Sequence, residues 1–102
     1  MSFGLREEDM DYIITAIRQF PEIEKAAIFG SRVKGNYKPG SDVDIAVWGN
    51  DVSFSTISRL HAIFEEESPM PYFFDIVDYS HLSHKELKSH IDRVGIVFFA
   101  RS

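Results

Sequence analysis

The chain has no cysteine, which excludes disulfides, thiol catalysis and zinc held by thiolates. It has no apolar run of about 18 residues, the length a membrane-spanning helix needs. Met1-Ser2-Phe3-Gly4 lacks the basic start and long apolar stretch of a secretory leader, so the cytoplasm is the expected location and no membrane contact is expected. Positive charge is in short supply. Eleven Lys and Arg against sixteen Asp and Glu leave a net charge of −5, which argues against a nucleic-acid-binding surface on this chain. Common phosphate and calcium motifs are missing too. There is no G-x-G-x-x-G. Gly30 and Gly35 have the spacing of a P-loop, but Asn36-Tyr37 stand where Lys-Ser/Thr is required. Asp42-x-Asp44 is followed by Ala46 and Val47, not by the third Asp or Asn and the glycine of an EF-hand loop. Repeats, low-complexity tracts and linkers are also absent, so residues 1–102 are expected to form one domain.

What remains is a globular composition, 44% hydrophobic with nine Phe and four Tyr. Met10, Ile13, Ile14, Ile17 and Phe20 recur at helical spacing, predicting a packing helix over Glu7 to Phe20 that Pro21 stops. Ile23 to Phe29 reads as a buried strand, Ser31 to about Val33 as a short helical turn, and Val43 to Trp48 as a second strand ended by Gly49-Asn50. Phe54, Ile57, Leu60, Ile63 and Phe64 mark a helix from Ser53 to about Glu66. Its Glu65-Glu66-Glu67 end suits the helix dipole poorly and is expected to fray. Tyr72 to Val77 is a third strand. Ser83 to Val94 is a last helix, with Ser83 and Glu86 spaced as a capping box and Gly95 as its stop. Ile96 to Ala100 is a final strand. The predicted class is α+β, a small mixed sheet with helices packed on it, in the order α-β-β-α-β-α-β.

Chemistry concentrates in Phe29 to Trp48. Side chains alternate along a strand, so Asp42 and Asp44 leave from one face while Val43, Ile45 and Val47 enter the core. Carboxylates about 6–7 Å apart repel unless a cation lies between them, and hard ions such as Mg²⁺ are commonly held by one or two carboxylates plus substrate phosphates. A bare Asp-x-Asp is most often a solvated strand end. Here, however, Gly30 ends the preceding strand, where it can take positive φ and admit another group close to the backbone. Ser31 follows with N–H groups and a hydroxyl able to bind an anion. Arg32 and Lys34 are the cations beside this turn, each readable as a triphosphate contact or as a solvated loop charge. Asn36, Tyr37 and Lys38 lie in the adjoining loop with the Pro39-Gly40 turn. Trp48 shares the alternation of Asp42 and Asp44 and reads as a partly buried aromatic at the strand end rather than a base-stacking one. His81, His84 and His90 do not share one face with metal-ligand spacing, and the lone His61, one residue from the apolar stripe of its helix, reads as a packing or surface residue.

Gly30-Ser31-Arg32-Val33-Lys34-Gly35 followed by Ser41-Asp42-Val43-Asp44-Ile45 resembles the signature of the nucleotidyltransferase superfamily with the DNA polymerase beta-type fold, and the short length resembles its minimal nucleotidyltransferase (MNT) group. The resemblance implies a third carboxylate on a later strand, and Asp75 in Tyr72-Phe73-Phe74-Asp75-Ile76-Val77-Asp78 stands where it is expected. It implies Asp42, Asp44 and Asp75 as catalytic, metal-holding residues for Mg²⁺, two ions in all. Gly30, Ser31 and Arg32 would bind ATP or another NTP. Asp75 would complete the metal site or take the proton from an acceptor hydroxyl. An aspartate on an otherwise apolar strand is costly to bury without such a partner. The resemblance also implies a small helical HEPN-type partner in a hetero-oligomer. In such toxin–antitoxin pairs the MNT protein is the antitoxin and adenylylates a tyrosine of the toxin. The chain has no Arg-x4–6-His and so is not itself the HEPN component. Two other readings stand beside this one: an antitoxin that neutralises its partner by contact alone, and transfer to a small-molecule hydroxyl.

Overall fold

The computed structural model describes residues 3–35, 42–68 and 70–101. The elements run α1 (Glu7–Arg18), β1 (Lys25–Phe29), a one-turn α2 (Ser31–Lys34), β2 (Val43–Trp48), α3 (Phe54–Ala62), a π turn (Ile63–Glu67), β3 (Phe74–Asp78), a 3₁₀ turn (Tyr79–His81), α4 (Lys85–Val94) and β4 (Ile96–Ala100). Apart from the short turns this is the predicted order. The loop carrying Asn36, Tyr37, Lys38, Pro39-Gly40 and Ser41 lies outside the described residues.

The sheet order is β3-β2-β1-β4. β1 pairs antiparallel with both β2 and β4, and β2 pairs parallel with β3. β1 is central and covered on both faces, which is why it reads as an unbroken apolar run. One face meets α1 and α3. Ile13, Ile17, Leu60 and Phe64 pack there against Ile28, Val43, Ile45, Val47 and Phe74. The opposite face carries Phe29, Ala46 and Val77 and meets Ile91, Leu87 and Val94 of α4. β2 and β3 both run away from the end of the sheet where β1 finishes. Gly30, Asp42, Asp44 and Asp75 therefore gather at that end.

Two local expectations are corrected. The second long helix does not fray at its acidic end. It widens into the π turn, which keeps Phe64 buried and stacked on Phe74 at 4.6 Å between ring centroids. The same turn brings Glu65 Oε2 within 3.1 Å of the Phe74 N–H. The last helix starts at Lys85, two residues late, because the His84 imidazole accepts the Leu87 N–H at 3.0 Å and takes the cap position expected of Ser83. Gly95 stops α4 after Val94 as expected, in an extended conformation at φ −65° and ψ 139°. A side chain is excluded there because its Cβ would meet the Ile91 carbonyl oxygen. Among the described residues no helix is long and apolar enough to cross a membrane.

Candidate active site

The end of β1 and the start of β2 are joined at close range. Gly30 has φ +88° and ψ −155°, a region that residues with a Cβ rarely enter. A Cβ on Gly30 would also overlap the Asp44 carboxylate, so that carboxylate rests directly on the turn that opens α2. Asp44 stands opposite Phe29 in the β1–β2 ladder and opposite Asp75 in the parallel β2–β3 ladder. Register neighbours on adjacent strands share a face, with backbones about 4.8 Å apart. Asp42, exposed, lies two residues before Asp44. The structure thus brings Gly30, Ser31, Asp42, Asp44 and Asp75 to one end of one face.

This grouping has an electrostatic consequence. The Asp44 carboxyl is raised from an ordinary value near 3.8 to about 6, by burial first and then by the charges of Asp75 and Asp42, with Arg32 opposing. Asp44 is half-buried, and Asp75 is exposed. The cost of burial therefore falls on Asp44. β3 is the edge strand of the sheet, so Asp75 reaches water, contrary to the expectation that it is the buried carboxylate.

Arg32 is a buried group rather than the solvated loop charge of one reading. Only 3% of it is exposed, its Nη1 donates to the Phe3 carbonyl at 3.0 Å, and its guanidinium lies 4.8 Å from the centre of the Tyr72 ring. Tyr72 in turn donates to Asp9 at 3.4 Å, and Asp9 is buried and paired with Arg6 at 3.3 Å. Arg32 thereby ties α2 to the segment before α1. No sequence signal pointed to this tie, because Phe3 contributes only a carbonyl and Tyr72 is forty positions away.

A second arrangement escaped the sequence reading. His61 Nε2 lies 2.7 Å from Glu65 Oε2 and 3.0 Å from the Phe74 carbonyl. Both partners accept, so Nε2 carries the proton. Glu65 accepts from the Phe74 N–H. The pair therefore satisfies the outward-facing polar groups of the residue beside Asp75. The i,i+4 spacing of His61 and Glu65 was the only clue, and it says nothing about Phe74. Trp48, at the far end of β2, is partly buried as expected. It stacks on Tyr79 at 4.6 Å with Lys25 Nζ 4.4 Å from its ring.

Among the described residues no three His, Asp or Glu side chains form a closed metal-ligand set. The carboxylates nonetheless suit a hard divalent ion shared with a substrate. They are oxygen donors of one sign crowded enough to raise Asp44, and Asp44 rests in a cradle that only glycine leaves open.

A family model described as Polymerase beta, Nucleotidyltransferase matches residues 11–102. The chain is 30% identical over 94 residues to the probable protein adenylyltransferase MntA of Haemophilus influenzae, over 91% of this chain and 81% of that protein. Two solved structures share the fold. One is a toxin–antitoxin with AMP-PNP (TM-score 0.77, 23% identity, 92% of this chain and 75% of that one). The other is the toxin–antitoxin MntA-HepT (TM-score 0.72, 20% identity, 94% and 74%).

Proposed function

We propose that this chain, which belongs to the polymerase beta nucleotidyltransferase family, is the antitoxin of a two-component system and transfers AMP from ATP to a hydroxyl, that of a tyrosine, on a helical HEPN-type partner in the cytoplasm. The probable protein adenylyltransferase that it resembles, and the toxin–antitoxin complexes that share its fold, support this reading. The observation that carries it is Asp44, held against Gly30 on one side and in register with Asp75 on the other.

Asp42, Asp44 and Asp75 would hold Mg²⁺, two ions in the full reaction, which supply charge neutralisation on the transferred group and on the leaving pyrophosphate. Gly30 and Ser31 lie at the end of β1 and bind the β- and γ-phosphates through backbone N–H groups and the Ser31 hydroxyl. In the transfer the acceptor oxygen bonds to the α-phosphorus, and the bond from that phosphorus to the α,β-bridging oxygen breaks. Pyrophosphate leaves, and the acceptor proton passes to Asp75 or to water. Asp75 suits that role because it is exposed on the edge strand, where an incoming hydroxyl reaches it. Arg32, beside the same turn, serves the nucleotide site as well. Its charge favours the ionised form of Asp44, and its tie to Phe3 fixes the turn that carries Ser31. Residues 1–102 act as one nucleotidyltransferase domain, and the partner presents the acceptor.

The test is incubation with Mg²⁺, labelled ATP and the partner, beside the double variant Asp42→Asn, Asp44→Asn. Label on the partner is expected with the wild type only. A partner that stays unlabelled yet is bound and inhibited equally by both versions would leave neutralisation by contact.

A further inference from the structure

We infer that Phe73 is the acceptor-recognition residue of this site, an apolar anchor for the polypeptide segment that presents the hydroxyl. The inference rests on the nucleotidyl-transfer reading above and names which side of the site the acceptor occupies. Along the third strand and its approach, Tyr72, Phe74 and Ile76 belong to the core on the α1–α3 face, whereas Val77 packs under α4. Alternation therefore puts Phe73, Asp75 and Val77 on the other face, with Val77 covered, Asp75 among the carboxylates and Phe73 beyond them. Phe73 is 69% exposed. The other large apolar side chains comparably exposed among the described residues are Phe54, the first residue of α3, and Val97 on the opposite sheet edge. Phe73 alone stands at the carboxylate end. Its carbonyl accepts the Val43 N–H at 2.9 Å, which fixes its backbone beside Asp42 and Asp44. Phe74, next in the chain, is held at both its N–H and its carbonyl by Glu65 and His61.

Position selects the occupant. The phosphate-binding turn follows β1, on one side of β2, and Phe73 precedes β3, on the other. In an in-line displacement the attacking and leaving oxygens lie on opposite sides of the transferred phosphorus. With pyrophosphate leaving on the Gly30 side, the acceptor oxygen arrives from the β3 side, over Asp75 and beside Phe73. An exposed aromatic there is what a protein acceptor requires, since buried aromatic anchors carry much of the affinity of protein interfaces. The sheet edge itself is closed to strand addition at Phe74 by the His61–Glu65 pair, which leaves the Phe73 side chain as the contact.

The experiment titrates the purified HEPN-type partner in the labelling reaction with wild type, Phe73→Ala and Phe73→Tyr. Affinity for a fluorescent ATP analogue with Mg²⁺ is measured separately on each. Phe73→Ala is expected to raise the partner concentration for half-maximal rate at least tenfold. The saturated rate and nucleotide affinity should stay within twofold of wild type, and Phe73→Tyr should recover most of the loss. Wild-type half-saturation in Phe73→Ala overturns the inference. So does a loss of nucleotide affinity in that variant, which would make Phe73 a base-stacking residue. A wild type that labels no partner at all overturns the transfer reading itself, and this inference with it.

Discussion

A methyl group on Gly30 would occupy the space of the Asp44 carboxylate, in a backbone conformation that alanine rarely adopts. Gly30→Ala is therefore expected to lower stability by on the order of 1–3 kcal/mol and to abolish nucleotide binding, as followed by thermal unfolding and by titration with a fluorescent ATP analogue. An unchanged nucleotide affinity would mean that Asp44 does not depend on the cradle. Asp44 also makes a pH prediction. Its carboxyl titrates near 6 when folded and near 3.9 when unfolded. The folded state thus holds the proton more tightly, and the contribution of this group to stability falls as pH rises from about 4 to about 6, then stays flat. Asp44→Asn removes that loss. In EDTA its Tm should exceed that of wild type by a margin that grows with pH up to about 6 and persists at pH 7.5. A margin equal at every pH would refute the account. Both residues were legible in the sequence because glycine at a strand end and alternating aspartates are local signals. Arg32 was not, because a buried guanidinium takes its meaning from partners distant in sequence, the Phe3 carbonyl and the Tyr72 ring.

At the scale of elements, β3 and the π turn depend on each other. The π turn places Glu65 at the Phe74 N–H, and the stacked rings of Phe64 and Phe74 bury the joint. Glu65→Ala should leave that amide to water, with the Phe74 carbonyl still held by His61, and cost about 1 kcal/mol net. The sharper readout is hydrogen exchange. The Phe74 amide should lose protection while the core amides of β1 keep theirs, and Glu66→Ala, altering an exposed neighbour, should change neither. The strands were readable from apolar runs and alternation, and β2 falls on its predicted span, Val43–Trp48. Element ends were read less well because tertiary contacts set them. Glu65-Glu66-Glu67 looks like a fraying terminus until Phe74 supplies a donor for its first residue. Ser83 looks like a cap until the neighbouring imidazole of His84 takes the Leu87 N–H. That Asp75 is exposed follows from β3 lying at the sheet edge, a property of strand order that no local pattern encodes.

At the scale of the molecule, the site is a cluster of like charges assembled by folding, so ligand and fold are thermodynamically linked. Asp42, Asp44 and Asp75 come from two strands and meet Gly30 from a third, and none of this grouping exists in the unfolded chain. ATP alone brings more negative charge to a chain already at −5 and is expected to stabilise it weakly. ATP with Mg²⁺ should bind the folded state only. At about a hundred times its Kd, one-site linkage gives about 2.7 kcal/mol, a rise in Tm of roughly 10–20 °C for a domain of this size. The Asp42→Asn, Asp44→Asn variant should show no such rise, and its own melting temperature without ligand should not fall, since the charges it removes repel one another. Scanning calorimetry with Mg²⁺ and ATP added singly and together tests all three statements. Equal shifts for ATP with and without the metal would place the nucleotide away from the carboxylates and separate binding from the transfer chemistry proposed for them.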